Sequence, residues 1–338
     1  MKKLFKPFIS QESKDNVIRV LNSDEITEGQ EVKLFERELE EKLGKQHILT
    51  VNSGTSALEL AFELANIQEG DEVITPILTC TATNLPLVHR KAKIVFADVD
   101  YDLNINIEDV KKKITTRTKC IVFVHFGGNN RGLAELLELC HSRNIILVED
   151  AAQAIGSGYW GKADFTAVSL QAIKTITSGD GGLLICRNFE DYKKAKRLRW
   201  FGIDREDRKR DVTEAGYKYH MNNINASIGR GNLLHLDELV IHKSQLGYIY
   251  NSYGLSPHIW MTVGLTDRYE ELKKELEDNG FECDQHHYRN DKYTILGGRV
   301  KDCPIMDELE NKYFFVPYHY GVTLEDAHKI GKICQKYI

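Results

Sequence analysis

Seven short runs of mostly β-branched and other apolar residues, "HILTVNS", "EVITP", "KIVFADVD", "CIVFVHFGG", "IILVEDA", "FTAVSL" and "GGLLIC", recur between about residues 30 and 190. Gly, Asp, Asn or Pro bound them, the pattern of strands buried on both faces. Between the runs the period changes. In "QEVKLFERELEEKLG", Val32, Phe35, Leu39 and Leu43 fall at helical spacing, and "TSALELAFELANI" and "LAELLELCHSR" repeat it. Strands that alternate with helices require a mostly parallel sheet covered on both sides. The pattern predicts a large α/β domain over residues 1–239, including a helical N-terminal segment, and a smaller α+β domain over 240–338. One long helix through "NASIGRGNLLHLDEL" closes the larger part; the smaller part then reads as "HIWMTVGL", a helix in "RYEELKKELEDNG", "YTILGG" and a closing helix in "TLEDAHKIGKICQKYI".

Composition narrows the partner. A net charge of -5 over 338 residues gives no reason to expect nucleic acid, so a small molecule is the expected partner. The seven cysteines are odd in number, scattered and without CxxC spacing, which argues against a disulfide framework and a zinc site. No metal is expected. No uncharged apolar run approaches the roughly 20 residues that cross a bilayer, and the basic start "MKKLFKPFIS" leads into no apolar core of a signal peptide. These features predict a cytoplasmic protein with no membrane partner.

In a parallel sheet, ligands collect at the carboxyl ends of the strands. Three loops there carry candidate chemistry. In "VNSGTSALELAF", Asn52 to Ser56 link a strand to a helix whose first free amides suit a phosphate; taken alone, the loop favours the plainer reading, Ser53 or Thr55 acting only as an N-cap. In "ILVEDAAQAIG", Asp150 closes an apolar run and needs a cationic or hydrogen-bonding partner: a pyridinium nitrogen, a helix start at Ala151, or an internal lysine or arginine. In "SLQAIKTITSGDGG", Lys174 sits among Ala172, Ile173 and Ile176, where desolvation favours the neutral, nucleophilic amine suited to a Schiff base. A phosphate cradle, an acid and an amine together are the three handles of pyridoxal phosphate.

The segments "ITEGQEVKLFERELEEKLG", "NSGTSALELA", "GDEVITP", "VEDAAQAIGS", "AVSLQAIKTITSGDGGLL" and "YHMNNINASIG" resemble, in order, the motifs of the DegT/DnrJ/EryC1/StrS nucleotide-sugar aminotransferases. The resemblance implies the type I pyridoxal phosphate fold: a seven-stranded, mainly parallel sheet, a smaller C-terminal domain, and a homodimer with active sites shared between subunits. It makes Lys174 the catalytic lysine that carries pyridoxal 5'-phosphate, and Asp150 the partner of the pyridine nitrogen. Gln153 would lie near the phenolic oxygen, while Gly54, Thr55, Ser56 and Ser169 would hold the phosphate. Where relatives place an aromatic ring against the cofactor this chain has Cys80. Where they place the asparagine that reaches the neighbouring subunit's phosphate it has Lys218.

The implied reaction moves an amino group from L-glutamate (or glutamine) to a keto group, at C4, of a nucleotide-linked 6-deoxyhexose. Amination at C3 is an alternative. Family members that act as sugar dehydratases have histidine in place of this lysine, and non-catalytic relatives would lack the lysine or aspartate; Lys174 and Asp150 favour transamination. Two features stay open at this level. The run Lys193 to Arg210 has nine basic residues in eighteen around Trp200 and Phe201, and could meet a diphosphate or be a solvated face. His125 could line a sugar pocket or be a hydrogen-bonded core residue.

Overall fold

The computed structural model describes residues 1–204, 211–212 and 214–338. All seven apolar runs are strands of one sheet: β1 (Ile48–Val51), β2 (Glu72–Pro76), β4 (Lys93–Ala97), β5 (Thr118–Val124), β6 (Ile146–Asp150), β7 (Phe165–Ser169) and β8 (Gly182–Cys186). A two-residue strand, β3 (Leu78–Thr79), follows β2. The sheet order is β1-β8-β7-β6-β5-β2-β4, and only β8 runs antiparallel to its neighbours. Period-two burial separates the two faces. In β8, Leu184 and Cys186 join the core on one side with Phe62 and Val122, while Leu183 and Ile185 join Phe35 and Val168 on the other.

Helices α1 (Gln11–Leu21), α2 (Gln30–Leu43), α3 (Gly54–Leu64), α4 (Thr81–His89), α5 (Ile107–Lys113), α6 (Leu133–Arg143) and α7 (Phe189–Arg199) belong to this layer. The stripe read in α2 is buried at Val32, Phe35 and Leu39, each side chain contributing roughly 1.5–3 kcal/mol. Gly44, with φ 61°, ends that helix in the left-handed conformation that glycine adopts without strain.

The stretch expected as one helix is two, α8 (Asn223–Leu233) and α9 (Leu236–Ser252), interrupted at Leu234 and His235. At the break the His235 amide bonds only three residues back, to the Asn232 carbonyl, while the Asn232 side chain ties α8 to the Ser10 amide and the Thr177 carbonyl. α9 runs unbroken through position 239. Beyond it lie β9 (Ser256–Pro257), β10 (Thr262–Leu265), α10 (Tyr269–Asp278), β11 (Tyr288–Arg289), α11 (Pro304–Leu309), β12 (Tyr313–Val316) and α12 (Leu324–Cys334). The order β12-β10-β9 makes a small antiparallel sheet. "YTILGG" forms a short 3-10 turn at Thr294–Leu296, closed by Gly297.

Two ties bind this part to the large sheet. β11 pairs with β3, and buried Asn290 donates to the carbonyl of Thr79 at 2.6 Å. The first eight residues cross back over the C-terminal part: the Lys2 amide bonds to the Gly280 carbonyl, Phe5 stacks on Trp260 and Phe8 meets Tyr320 edge-on.

Candidate active site

β1, β6 and β7 run in the same direction, so Asn52, Asp150 and Ser169 emerge along one edge of the sheet. At the first of these ends Ser53 caps α3: its hydroxyl accepts from the Ser56 amide at 3.0 Å, and the Ser56 hydroxyl donates to Asn52 Oδ1 at 2.6 Å. The amides of Gly54 and Thr55 open the helix where no intrahelical carbonyl reaches, at the positive end of its dipole. Capping and an anion-binding turn therefore coexist. A Cβ on Gly54 would stand 2.9 Å from that of Ser169, so the turn approaches β7 only because residue 54 is glycine. The Asn52 side chain donates to the backbone carbonyl of Lys218 at 3.4 Å, while the Lys218 side chain is exposed.

Asp150 is 6% exposed and keeps no lysine or arginine partner among the described residues. Thr83, from the first turn of α4, donates to its Oδ2 at 2.7 Å, and the Ala152 amide donates to Oδ1 at 3.1 Å. Thr83 in turn accepts from Thr79 at 2.8 Å, since its own proton is committed to the carboxylate. No helix begins at Ala151: the Ala151 amide bonds to the Ala167 carbonyl and a turn follows.

Lys174 is half-buried, with Nζ 4.1 Å from the centre of the Trp260 ring. Desolvation lowers its pKa to about 8, against the opposing pull of Asp150 and Cys80. Trp260 is fixed by its Nε1, which donates to the Ile173 carbonyl at 3.2 Å. Cys80 stands at the N-terminus of α4, half-buried and making no cap with its side chain.

Gln153 is bonded at both ends, accepting from the Gly127 amide at 2.6 Å and donating to His287 Nε2 at 3.1 Å. That bond places the proton of neutral His287 on Nδ1. Burial and then the nearby His286 and Lys174 hold His287 well below the ordinary imidazole range; burial and Lys174 bring His286 to about 4, despite Asp284. Both rings are neutral at physiological pH.

The two open features resolve differently. His125 is fully buried, 2.7 Å from Glu149, which also accepts from the amides of Gly161, Lys162 and Ala163. It is a core histidine bonded to a buried glutamate. In the basic run, Arg199 is buried in ion pairs with Glu28 and Glu36, each at 2.8 Å, and Arg197 pairs with Glu214. Lys193 pairs with Glu190 at 2.8 Å, and residues 205–210, which hold four more of the basic residues, lie outside the described residues.

Thr83, Trp260, His286 and His287 were not singled out by the sequence. Thr83 could have been, as a hydroxyl in the turn after an extended segment; Trp260 and the histidines come from distant chain and carry no local signal.

The model of the family described as the DegT/DnrJ/EryC1/StrS aminotransferase family matches residues 7–335. The chain belongs to this family. It is an aminotransferase dependent on pyridoxal phosphate, as the family is. GDP-perosamine synthase of Escherichia coli O157:H7 is 30% identical over 90% of both chains. UDP-4-amino-4-deoxy-L-arabinose--oxoglutarate aminotransferase of Shewanella sediminis is 33% identical over 73% of this chain and 67% of its own. The crystal structure of the sugar aminotransferase CalS13 from Micromonospora echinospora superposes with a TM-score of 0.92 at 28% identity, over 99% of this chain and 100% of that one.

The donor set fits the family's cofactor. A turn with free amides pressed against a serine hydroxyl suits a phosphate, a desolvated carboxylate without a cation suits a protonated ring nitrogen, and an amine with lowered pKa suits an aldehyde. Among the described residues no group of histidine, cysteine or carboxylate side chains could hold a metal ion, and no helix is long and apolar enough to cross a membrane.

Proposed function

We propose that this aminotransferase moves an amino group from L-glutamate to the C4 keto group of a nucleotide-linked 6-deoxyhexose, giving a nucleotide-bound amino-dideoxy sugar. The observation that carries the chemistry is Lys174, of lowered pKa and within the electrostatic reach of a buried Asp150 that forms no ion pair among the described residues. The substrate class is supported by the relatives, which are named for nucleotide-linked sugars; one is named for a 4-amino sugar and for oxoglutarate, the keto acid left when glutamate gives up its amine.

When bound, pyridoxal phosphate supplies an aldehyde and an electron-accepting ring. The amides of Gly54 and Thr55 with the hydroxyl of Ser169 would hold the phosphate, joined by the Ser56 hydroxyl once it turns from Asn52, and Lys218 of a second copy would complete it in a homodimer. Asp150, oriented by Thr83, keeps a proton on the ring nitrogen. Gln153 would lie near the phenolic oxygen and Cys80 against one ring face, where a thiol would stack less area than an aromatic ring. Lys174 Nζ is the covalent anchor and, once released, the base that takes the donor's Cα proton. The reaction takes place in the cytoplasm.

The test is to incubate the enzyme and glutamate with a panel of nucleotide-linked 3-keto and 4-keto sugars and to weigh the products. Amination of 4-keto members alone supports the reading; amination of 3-keto members alone, or loss of water without gain of nitrogen, sinks it. Borohydride should fix the yellow cofactor to the wild type and not to Lys174→Ala.

A further inference from the structure

A second lysine lies beside the first. Lys243, on α9, is 7% exposed and shares with Lys174 a small cavity of about 20 Å³. The groups that line the cavity come from five segments, one of them carrying Trp260. From the 173–175 loop, Thr175 Oγ1 lies 3.5 Å from Lys243 Nζ; from the segment after β12, the Tyr318 ring centre is 5.7 Å away. Lys6 of the N-terminal segment also lines the cavity, with Nζ 5.0 Å from the Tyr320 ring, and Leu239 of α9 closes the floor. His319 has both ring nitrogens occupied, one by the Lys3 carbonyl and one by the Gly321 amide.

Three ammonium-bearing side chains thus meet in one aromatic-walled space with no carboxylate in its lining. Among the described residues none of the three forms an ion pair. An enclosed lysine without a counter-charge is costly to keep ionised, and desolvation with the charge of Lys174 brings Lys243 to about 7. A ligand anion would supply what the protein omits.

We propose that Lys243 binds a carboxylate of the amino-acid donor. This rests on the aminotransferase reading of Lys174. An amino acid carries its α-carboxylate one carbon from the amine that exchanges at Lys174, so the anion falls within reach of the neighbouring lysine. A nucleotide sugar keeps its diphosphate on the far side of the sugar ring from a C4 ketone, out of this enclosed corner. Lys243 is therefore a specificity residue for the donor and not for the sugar.

The test uses the cofactor-loaded enzyme and follows each half-reaction separately by cofactor absorbance. Lys243→Met should weaken the apparent affinity for L-glutamate by about 10- to 100-fold, the loss of one charge-assisted hydrogen bond, and leave the half-reaction with the nucleotide amino sugar unchanged. Lys243→Arg should restore most of the loss. A readout independent of turnover is calorimetric binding of glutarate against its uncharged diamide: the wild type should prefer glutarate, and Lys243→Met should lose that preference. Equal binding of glutarate and diamide by the wild type overturns the proposal even if no variant folds. Equal damage to both half-reactions by Lys243→Met overturns it too. If no keto sugar is aminated while glutamate still reacts in a Lys243-dependent way, the sugar assignment falls and the role of Lys243 stands.

Discussion

Lys174 should behave in solution as a base with a pKa of about 8, and that sets how fast the cofactor-free protein captures pyridoxal phosphate. The attacking species is the neutral amine. At pH 7.5 a group of that pKa is neutral in roughly a quarter of molecules, against about one in a thousand for an ordinary lysine, a gain of about 200-fold. Stopped-flow absorbance across about pH 6 to 10 should show a second-order rate that climbs about tenfold per pH unit and levels off above about 8. Asp150 and Cys80 pull the pKa upward against the dominant effect of burial. Asp150→Asn removes one of those attractions, so its inflection should move below that of the wild type. An inflection near that of free lysine would refute desolvation as the controlling cause. One that rises in Asp150→Asn would refute the electrostatic sign.

Three further outcomes follow from geometry. Thr83→Val removes the 2.7 Å donor to Asp150, a charge-assisted bond worth about 1.5–3 kcal/mol, and should weaken cofactor affinity by about tenfold or more in a fluorescence titration. Unchanged affinity would mean that Asp150 needs no positioning. Gly54→Ala sets a Cβ 2.9 Å from that of Ser169 and should lower affinity for pyridoxal phosphate more than for pyridoxal, compared by dialysis; an equal effect on both would separate this turn from the phosphate. Glu149→Gln puts an amide where a carboxylate accepts three backbone N–H groups and His125, and should lose about 3 kcal/mol in urea unfolding; a wild-type midpoint would show that the charge is not needed there.

The strands and their order of use were readable because each is a continuous apolar run ended by a turn residue, and burial on both faces demands such runs. Lys174 and Asp150 stood out for a related reason: each is a charge where the apolar pattern leaves little water. The break between α8 and α9 was hidden because "NLLHLDEL" carries no glycine or proline to mark it, and the ties of Asn232 to Ser10 and Thr177 beside it span 222 and 55 residues of chain. Trp260 was hidden in the same way, since "HIWMTVGL" reads as apolar filling and only folding brings its indole under Lys174. His125 was ambiguous because a histidine at a strand end looks the same whether it faces a ligand or a buried glutamate. β12 escaped notice although "YFFV" is apolar, because it is short and follows an α11 of only six residues.

The crossing of the first residues over the C-terminal part also sets a sequence of events in synthesis. Lys2 donates to the carbonyl of Gly321, 319 residues away, and Phe5 backs the tryptophan beneath Lys174. Contacts of that separation close last, since the chain entropy of so long a loop must be overcome after the local structure exists. As the chain leaves the ribosome, the sheet carrying Asp150 and Lys174 can assemble while its amino terminus is still loose. The wall around Lys174 is completed only when residues 318–320 have emerged. Until then the lysine remains in a wetter setting, closer to an ordinary amine, and reactivity toward an aldehyde arrives with the last part of the chain.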